Sequence, residues 1–149
     1  MTSQNSSAFD ELLKRVTPQS TLTFALGLPG FPDETRFVLL QNPEERPFAW
    51  LQSLKTASLS FVVTSPFVLF PEYRPDVPDF DLTALDSPPQ EDTLILCIIK
   101  VVQTTPTELH TNLKAPLVIN LRTLTGRQVI LNNEAMYSEI AIYRVKSML

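Results

Sequence analysis

Short segments of β-branched and aromatic residues, separated by Pro, Asp and Asn, constrain the fold of this chain more than any other feature. They occur at residues 21–24, 37–40, 49–52, 59–64, 94–102, 117–121, 128–131 and 140–143. Such residues favour strands, and the turn-forming residues between them end each strand after a few positions. Eight or more short strands in one chain are typical of a barrel or a sandwich. We therefore predict an all-β fold.

The chain is long enough for one domain with a hydrophobic core. It has 149 residues, of which 44% are hydrophobic and 19% are charged. A chain of this size buries roughly 70% of its unfolded surface when it folds. We predict a single domain over residues 1–149. Residues 1–7 are small and polar, and we expect them to be disordered.

A helical pattern precedes the first predicted strand. Apolar residues follow the spacing i, i+3, i+4, i+7 at Phe9, Leu12, Leu13 and Val16. This spacing places them on one face of a helix. Ser7, followed three residues later by Asp10, resembles a capping box, and Pro18 ends the pattern. We predict a short N-terminal helix over residues 8–16.

The charge and the glycine content argue against binding of nucleic acids and nucleotides. The 12 basic and 16 acidic residues give a net charge of −4, which opposes the phosphate contacts that drive nucleic-acid binding. Loops that hold phosphate groups need several glycines close together, and the chain has only Gly27, Gly30 and Gly126. We expect no direct nucleic-acid partner and no cofactor.

Three features of the sequence predict a cytoplasmic location. The apolar runs are much shorter than the ~20 residues that span a bilayer. Residues 1–20 lack the basic-then-apolar order of a signal peptide. The only cysteine, Cys97, cannot form an internal disulfide, which fits a reducing compartment. We expect no membrane association.

The sequence offers no convincing catalytic or metal site. The single histidine, His110, has only Glu108 nearby as a second ligand, whereas a metal site needs three or four. We expect His110 to lie on the surface or in a turn. Cys97 lies in the apolar run 94–99, so we expect a buried core residue and not a nucleophile paired with His110.

Residues 71–92 form an acidic, proline-rich excursion between two predicted strands. No Lys or Arg occurs between Pro75 and Ile99, and residues 82–85 fit a single helical turn. One interpretation is a solvated acidic loop. The other is an electrostatic landing site for a basic protein, formed by Asp76, Asp79 and Asp81.

Three phenylalanines lie next to proline-marked turns or strand ends. They are Phe31, Phe67 and Phe70. Aromatic side chains dominate hydrophobic cores, so plain packing is one interpretation. Presentation of these side chains to a partner protein is the alternative.

Six phrases of the sequence, read in order, resemble the flagellar assembly factor FliW family of bacteria. The phrases are Gly27–Phe31, Phe37–Leu40, Pro47–Phe48 with Leu51–Ser53, Phe61–Phe67 with Phe70 and Tyr73, Thr111–Asn120, and Gly126–Leu131. Each phrase is weak alone, but their common order and spacing make the resemblance specific. It covers roughly residues 20–137.

The resemblance implies a compact, mainly antiparallel β-barrel-like fold and a function without catalysis. FliW proteins bind flagellin in the cytoplasm and antagonise the translational repressor CsrA. When flagellin is secreted, the freed protein captures CsrA and relieves repression of flagellin mRNA. We expect the same partner switch here, with a chain that is monomeric when free.

The resemblance also directs attention to candidate contact residues. Together with Phe31, Phe70 and the three acids, they are Pro66, Phe67, Asn112, Leu113, Lys114, Ala115, Pro116 and Asn120. Each has a structural alternative. Gly30 fits a turn, and Asn112 and Asn120 can satisfy backbone groups at strand ends.

Two other functions and one structural conflict stay open at this point. A small β-barrel enzyme that binds a flavin is one alternative, although the chain lacks a basic, glycine-containing phosphate site. A flagellin chaperone without a regulatory role is the other. In addition, FliW proteins usually open with a β-strand, whereas the periodicity of residues 8–16 predicts a helix.

Overall fold

The computed structural model describes residues 6–146, apart from the side chain of Ser6. The strands are β1 (Leu22–Thr23), β2 (Arg36–Gln41), β3 (Ala49–Ser53), β4 (Ser60–Thr64), β5 (Thr93–Val102), β6 (Glu108–Thr111), β7 (Leu117–Asn120), β8 (Thr125–Gln128) and β9 (Ala141–Arg144). The helices are α1 (Ser6–Leu13), α2 (Pro66–Leu69) and α3 (Asp79–Ala84), with 3-10 turns at Pro43–Glu45, Gln90–Asp92 and Glu134–Met136.

The strands form one sheet that closes on itself. Their order is β4-β3-β2-β1-β8-β7-β5-β6-β9, and an additional pairing of β4 with β5 completes a barrel-like ring. The pairing of β1 with β8, at Thr23 and Thr125, is parallel. The other pairings of the described strands are antiparallel. The prediction of a mainly antiparallel, β-barrel-like all-β fold is confirmed.

Strand β5 belongs to two parts of the sheet. Residues 93–96 pair with β7, and residues 97–99 pair with β4, so the first seven residues of the strand lie in the ring. Residues 100–102 pair with β6, which in turn pairs with β9. Strands β6 and β9, with the last part of β5, therefore form a wing that extends from the ring.

The chain between β6 and β7 bulges out of the sheet. His110 pairs with Lys100, and Leu117 pairs with Leu96. Residues 111–116 must therefore fit opposite residues 97–99 alone. The surplus chain separates the β6–β9 wing from the β7–β8 hairpin, so the sheet forks at this point. We call residues 112–116 the fork segment.

The interior of the ring is apolar, and α1 packs against it. Phe9, Leu13 and Val16 join the buried cluster formed by the inward side chains of the strands. The Nε2 atom of Gln41 donates to the carbonyl oxygens of Leu13 and Val16, at 3.0 and 3.1 Å. The carbonyl of Leu13 also accepts from the amide of Val16, and the bonds from Gln41 add a link from β2 to the end of the helical segment, where carbonyls lack intrahelical donors.

The predicted N-terminal helix is confirmed, but both of its ends differ from the prediction: α1 spans Ser6–Leu13 and stops three residues before the predicted end at residue 16. The helix begins at Ser6, so Ser7 lies inside the first turn and cannot be the capping residue. Ser6 and Ser7 also belong to the segment predicted to be disordered, and residues 1–5 of that segment lie outside the described residues. The opening β-strand that the resemblance implied does not occur at residues 8–16.

Two apolar clusters outside the ring hold the connections in place. One contains Phe67, Tyr73 and Leu85 from the chain between β4 and β5. The other contains Leu69 and Cys97. Burial raises the pKa of the Cys97 thiol to about 12, so at neutral pH the thiol is protonated. Its predicted role as a core residue is confirmed.

Several boundaries differ from the sequence-based prediction. Strand β6 was not predicted, and His110, expected on the surface or in a turn, is a half-buried strand residue whose Nε2 lies 2.9 Å from Glu108 Oε1. Strand β8 ends where a strand over 128–131 was predicted to begin. Gly126 fits this strand because a Cβ atom there would lie 2.7 Å from the ring of Phe24.

A buried acid joins the chain after Phe31 to the turn between β3 and β4. Glu34 is only 9% exposed, and its carboxylate accepts hydrogen bonds from the hydroxyls of Ser53 and Thr56, at 2.5 and 2.6 Å. The bond from Ser53, followed by that from Thr56, lowers the pKa of Glu34 below its ordinary value of 4.5. The ionised carboxylate therefore stabilises the fold.

This arrangement predicts a specific loss of stability in acid. A lowered folded-state pKa gives stability that is present above the unfolded-state pKa and is lost as the pH falls through the folded-state pKa. We expect Glu34→Gln to be less stable than the wild type at neutral pH, with a difference that shrinks as the pH falls below the ordinary pKa of glutamate and through the lowered pKa of Glu34. Urea denaturation at a series of pH values measures this.

Asp33→Asn is the matched control for this experiment, because Asp33 is the adjacent acid and is exposed. Its stability should follow the wild-type curve across the same pH range. A difference between Glu34→Gln and wild type that does not change with pH would contradict the assigned role of Glu34.

Candidate functional site

A groove of about 360 Å³ lies where the sheet forks. Its apolar lining comes from Pro29, Phe61, Ile98, Ala115 and Ile140, and its polar lining from Lys100, His110, Thr111, Asn112, Gln128 and Glu139. Alternate residues of a strand face the same side of a sheet. Ile98 and Lys100 of β5 therefore share the face that forms the floor of the groove.

The glycine-containing loop 27–31 forms one rim of the groove. The backbones of Leu28 and Phe31 form a β-bridge, and Gly27 and Gly30 have φ angles of 74° and 80°, which favour glycine. The ring of Phe31 packs edge-to-face on Phe61, with 5.7 Å between the ring centroids. Phe31 is still 41% exposed, so its outer face is open to solvent.

The fork segment forms the opposite rim, and its backbone is firmly held. The hydroxyl of Tyr73 donates to the carbonyl of Leu113 at 2.7 Å. The Leu113 amide donates to Ser138, and the Lys114 carbonyl accepts from the amide of Leu131. The Oδ1 atom of Asn112 accepts from the amide of Lys114 at 3.0 Å. A rim tied at this many points is a pre-formed surface.

Charges of both signs surround the groove. The imidazole of His110 lies 2.9 Å from Glu108, and Arg144 lies 3.4 Å from the second oxygen of the same carboxylate. Lys100 and Glu139 are exposed at the groove. This mixture, together with the apolar walls, suits a protein segment better than a small ion.

The three aromatic candidates have different environments. Phe31 is exposed and packs on Phe61, which lines the groove. Phe67 is 4% exposed and packs against Tyr73, so its predicted presentation to a partner is corrected to a core role. Phe70 is half-buried and packs edge-to-face on Tyr143. Pro66 is buried at the start of α2.

The three acidic candidates do not form one surface cluster. Asp76 and Asp79 are exposed, as a landing site for a basic protein requires. Asp81 is only 3% exposed, and its Oδ1 lies 3.0 Å from Nε of Arg127. Asp81 therefore holds α3 against strand β8 through this ion pair. Its assignment to a solvated acidic loop, or to a landing site, is corrected.

Asn120 is a structural residue at the end of β7. It is 2% exposed. Its Nδ2 donates to the carbonyl of Leu85 at 2.7 Å, and its Oδ1 accepts from the amide of Arg122 at 2.8 Å. Leu113, Ala115 and Pro116 of the fork segment are also buried, although Ala115 still lines the groove. Asn112 is exposed, and Lys114 is half-buried.

Two further observations concern other kinds of site. Within residues 6–146, His, Cys, Asp and Glu side chains do not come together in groups of three or more that fit a metal ion. Over the same part of the chain, no helix has the length and the apolar character needed to cross a bilayer.

Four family phrases, distant from one another in the sequence, meet at this groove. Pro29, Phe61, Asn112 and Gln128 each come from a different phrase. A comparison with protein-family models matches residues 5–141 to the model described as FliW protein. The chain belongs to the FliW family.

Relatives of this FliW-family chain are called flagellar assembly factor FliW. The protein from Bacillus velezensis is 38% identical over 120 residues, which cover 80% of this chain and 82% of the relative. The protein from Alkaliphilus metalliredigens is 33% identical over 125 residues, covering 83% and 76% respectively. A crystal structure of a flagellar assembly factor FliW matches with a TM-score of 0.77 and 35% identity, covering 89% of this chain and 92% of that one.

Part of the groove has no signal in the FliW phrases. Lys100, Glu139 and Ile140 were not candidates, because their position depends on the wing formed by β6 and β9. Strand β6 is short and contains Glu108 and His110, so it lacks the apolar run that marked the other strands.

Asn112 is exposed and Asn120 is buried, so their replacement should cost different amounts of stability. We expect Asn120→Ala to lower the free energy of unfolding by about 1–3 kcal/mol, because it leaves the Leu85 carbonyl and the Arg122 amide without their partner. Asn112→Ala removes a bond at an exposed site, and we expect a loss of about 0.5–1 kcal/mol. Urea denaturation of the two variants compares these losses. An Asn120→Ala variant with wild-type stability would contradict the structural role.

Proposed function

We propose that this chain is a non-enzymatic regulator of flagellar assembly that binds flagellin and antagonises the repressor CsrA in the cytoplasm. Membership of the FliW family supports this proposal. The observation that carries it is the convergence of four FliW phrases on one apolar groove with a fixed rim. Residues that meet in space at an exposed apolar groove favour a shared role in recognition over four separate roles in folding.

The groove suits a segment of flagellin. Ile140 is an exposed apolar side chain in its lining, and the exposed Phe31 packs on the lining residue Phe61. The fork segment is held by the hydrogen bonds of Leu113 with Tyr73 and Ser138. A pre-formed site loses little conformational entropy on binding. The groove has no excess of acidic side chains, so it is not the surface that charge selects for a basic partner.

The acidic excursion suits CsrA, which is an RNA-binding protein and therefore basic. Asp76 and Asp79 are exposed, and the whole chain carries a net charge of −4. Opposite charge accelerates association between proteins.

The residues proposed as contacts are the candidates that remain accessible or line the groove. They are Phe31, Phe70, Asp76, Asp79, Asn112, Lys114 and Ala115. The buried Pro66, Phe67, Asp81, Leu113, Pro116 and Asn120 support them.

The groove can be tested with two exposed isoleucines. We expect Ile140→Glu to weaken flagellin binding by about tenfold or more, because it places a charge in an apolar contact. Ile130→Glu is the matched control, since Ile130 is 55% exposed and does not line the groove, whereas Ile140 is 62% exposed. Titration calorimetry with purified flagellin measures both.

Equal affinity of the two variants would contradict the groove assignment. The same preparations, tested against CsrA, separate a regulator from a chaperone. Binding of flagellin without any binding of CsrA would favour the chaperone function, and failure to bind either protein would contradict the proposed function as a whole.

The acidic excursion predicts a salt-dependent association rate. We expect the double variant Asp76→Lys, Asp79→Lys to capture CsrA more slowly than wild type at low salt, with a smaller difference at high salt, because salt screens exposed charges. Stopped-flow association at both ionic strengths measures this. The control is Glu44→Lys, Glu45→Lys, which reverses two exposed acids in the turn after β2. A rate ratio that does not change with salt would contradict electrostatic capture.

A further inference from the structure

Helix α3 presents an apolar face to solvent in the middle of the acidic excursion. Phe80 is 69% exposed, one of the most exposed large apolar side chains among residues 6–146. Ala84 is exposed and lies four residues further on, so the two share one face of the helix. Asp81 and Leu85, which are also four residues apart, are both 3% exposed and face inward.

The inward face holds the helix in a fixed orientation. The carboxylate of Asp81 meets Arg127 of β8 at 3.0 Å. The carbonyl of Leu85 accepts from Asn120 of β7 at 2.7 Å. Pro78, just before the helix, is buried. The exposure of Phe80 is therefore imposed by contacts on the other side of α3.

A hollow of about 170 Å³ lies beside the end of α3. Ala84 and Leu85 line one side, and Leu26 and Gly126 line another. Leu26 is 64% exposed, so the apolar surface runs from Phe80 over Ala84 and across the hollow. We call Phe80, Ala84 and Leu26 the α3 surface.

Acids flank the α3 surface, and the exposed Arg122, which shares a neighbouring hollow with Asp86, lies 4.0 Å from the carboxylate of Asp92. Asp79 precedes Phe80, Asp86 lines the hollow, and both are exposed. The one cation at the hollow, among the described residues, is Arg127, which Asp81 neutralises. The sequence supplies no Lys or Arg between residues 75 and 99. An apolar centre with acidic margins thus results from both the fold and the sequence.

We propose that the α3 surface binds a basic protein surface that presents an apolar side chain, and that this partner is CsrA. This inference rests on the proposed function and adds the residues that hold the complex together. Charge selects the occupant: a second copy of this chain would bring acids against acids, and an anionic lipid surface would be repelled in the same way.

The two kinds of residue have separable kinetic roles. Exposed acids such as Asp79 raise the association rate and make it sensitive to salt. An aromatic side chain that becomes buried in a complex mainly slows dissociation. Phe80 should therefore determine how long the complex lasts, whereas the acids determine how fast it forms.

The test compares Phe80→Ser, Leu26→Ser and the control Met136→Ser. Met136 is 71% exposed and lies outside the α3 surface. All three side chains are so exposed that their replacement leaves the core intact. We expect Phe80→Ser to dissociate from CsrA about tenfold faster than wild type at both low and high salt, and Leu26→Ser to dissociate faster by a smaller factor. Surface plasmon resonance with immobilised CsrA gives both rates.

Every result other than the expected one contradicts a specific part of the proposal. If the wild type binds CsrA and Phe80→Ser dissociates no faster than Met136→Ser, the α3 surface is not the contact, and the proposed function stands. If Phe80→Ser weakens flagellin binding equally, the surface is not specific for a basic partner. Loss of self-association in Phe80→Ser, measured by sedimentation, would identify a second copy as the occupant. A wild-type chain that does not bind CsrA would overturn the proposed function and this inference together.

Discussion

The fold depends on strand β5, which pairs with three other strands along its length. Its first seven residues complete the ring through β7 and β4, and its last three residues pair with β6 of the wing. One strand can pair with both parts only if the chain between β6 and β7 bulges out of the sheet. Residues 112–116 form this bulge. The groove at the fork is therefore a direct result of how β5 is shared.

Prediction from the sequence was most reliable where a residue pattern is compatible with only one kind of secondary structure. The run 94–102 and the spacing of Phe9, Leu13 and Val16 predicted β5 and α1, because burial of apolar side chains dictates both. The fork was not predictable in this way. It results from the registers Lys100 with His110 and Leu96 with Leu117, and a register depends on pairing between distant segments.

Polar residues were the most difficult to interpret. Asp81 and Asn120 were candidate contacts because charged and amide side chains can recognise a partner. Both are buried: Asp81 forms an ion pair with Arg127, and Asn120 donates a hydrogen bond to the Leu85 carbonyl. A buried polar group must find a partner inside the protein, and a single sequence does not reveal which asparagine or aspartate will be buried. The exposed neighbours Asp79 and Phe80 depend on these buried bonds for their orientation.

The ring also has a consequence for when the groove forms during synthesis of the chain. Strand β1 pairs with β8 at Thr23 and Thr125, and the groove joins Pro29 to Ile140. Contacts between segments so far apart in sequence form slowly, because a long loop must close first. A nascent chain that still lacks β8 and β9 has neither a closed ring nor a complete groove. The groove is therefore complete only after nearly all of residues 6–146 have left the ribosome.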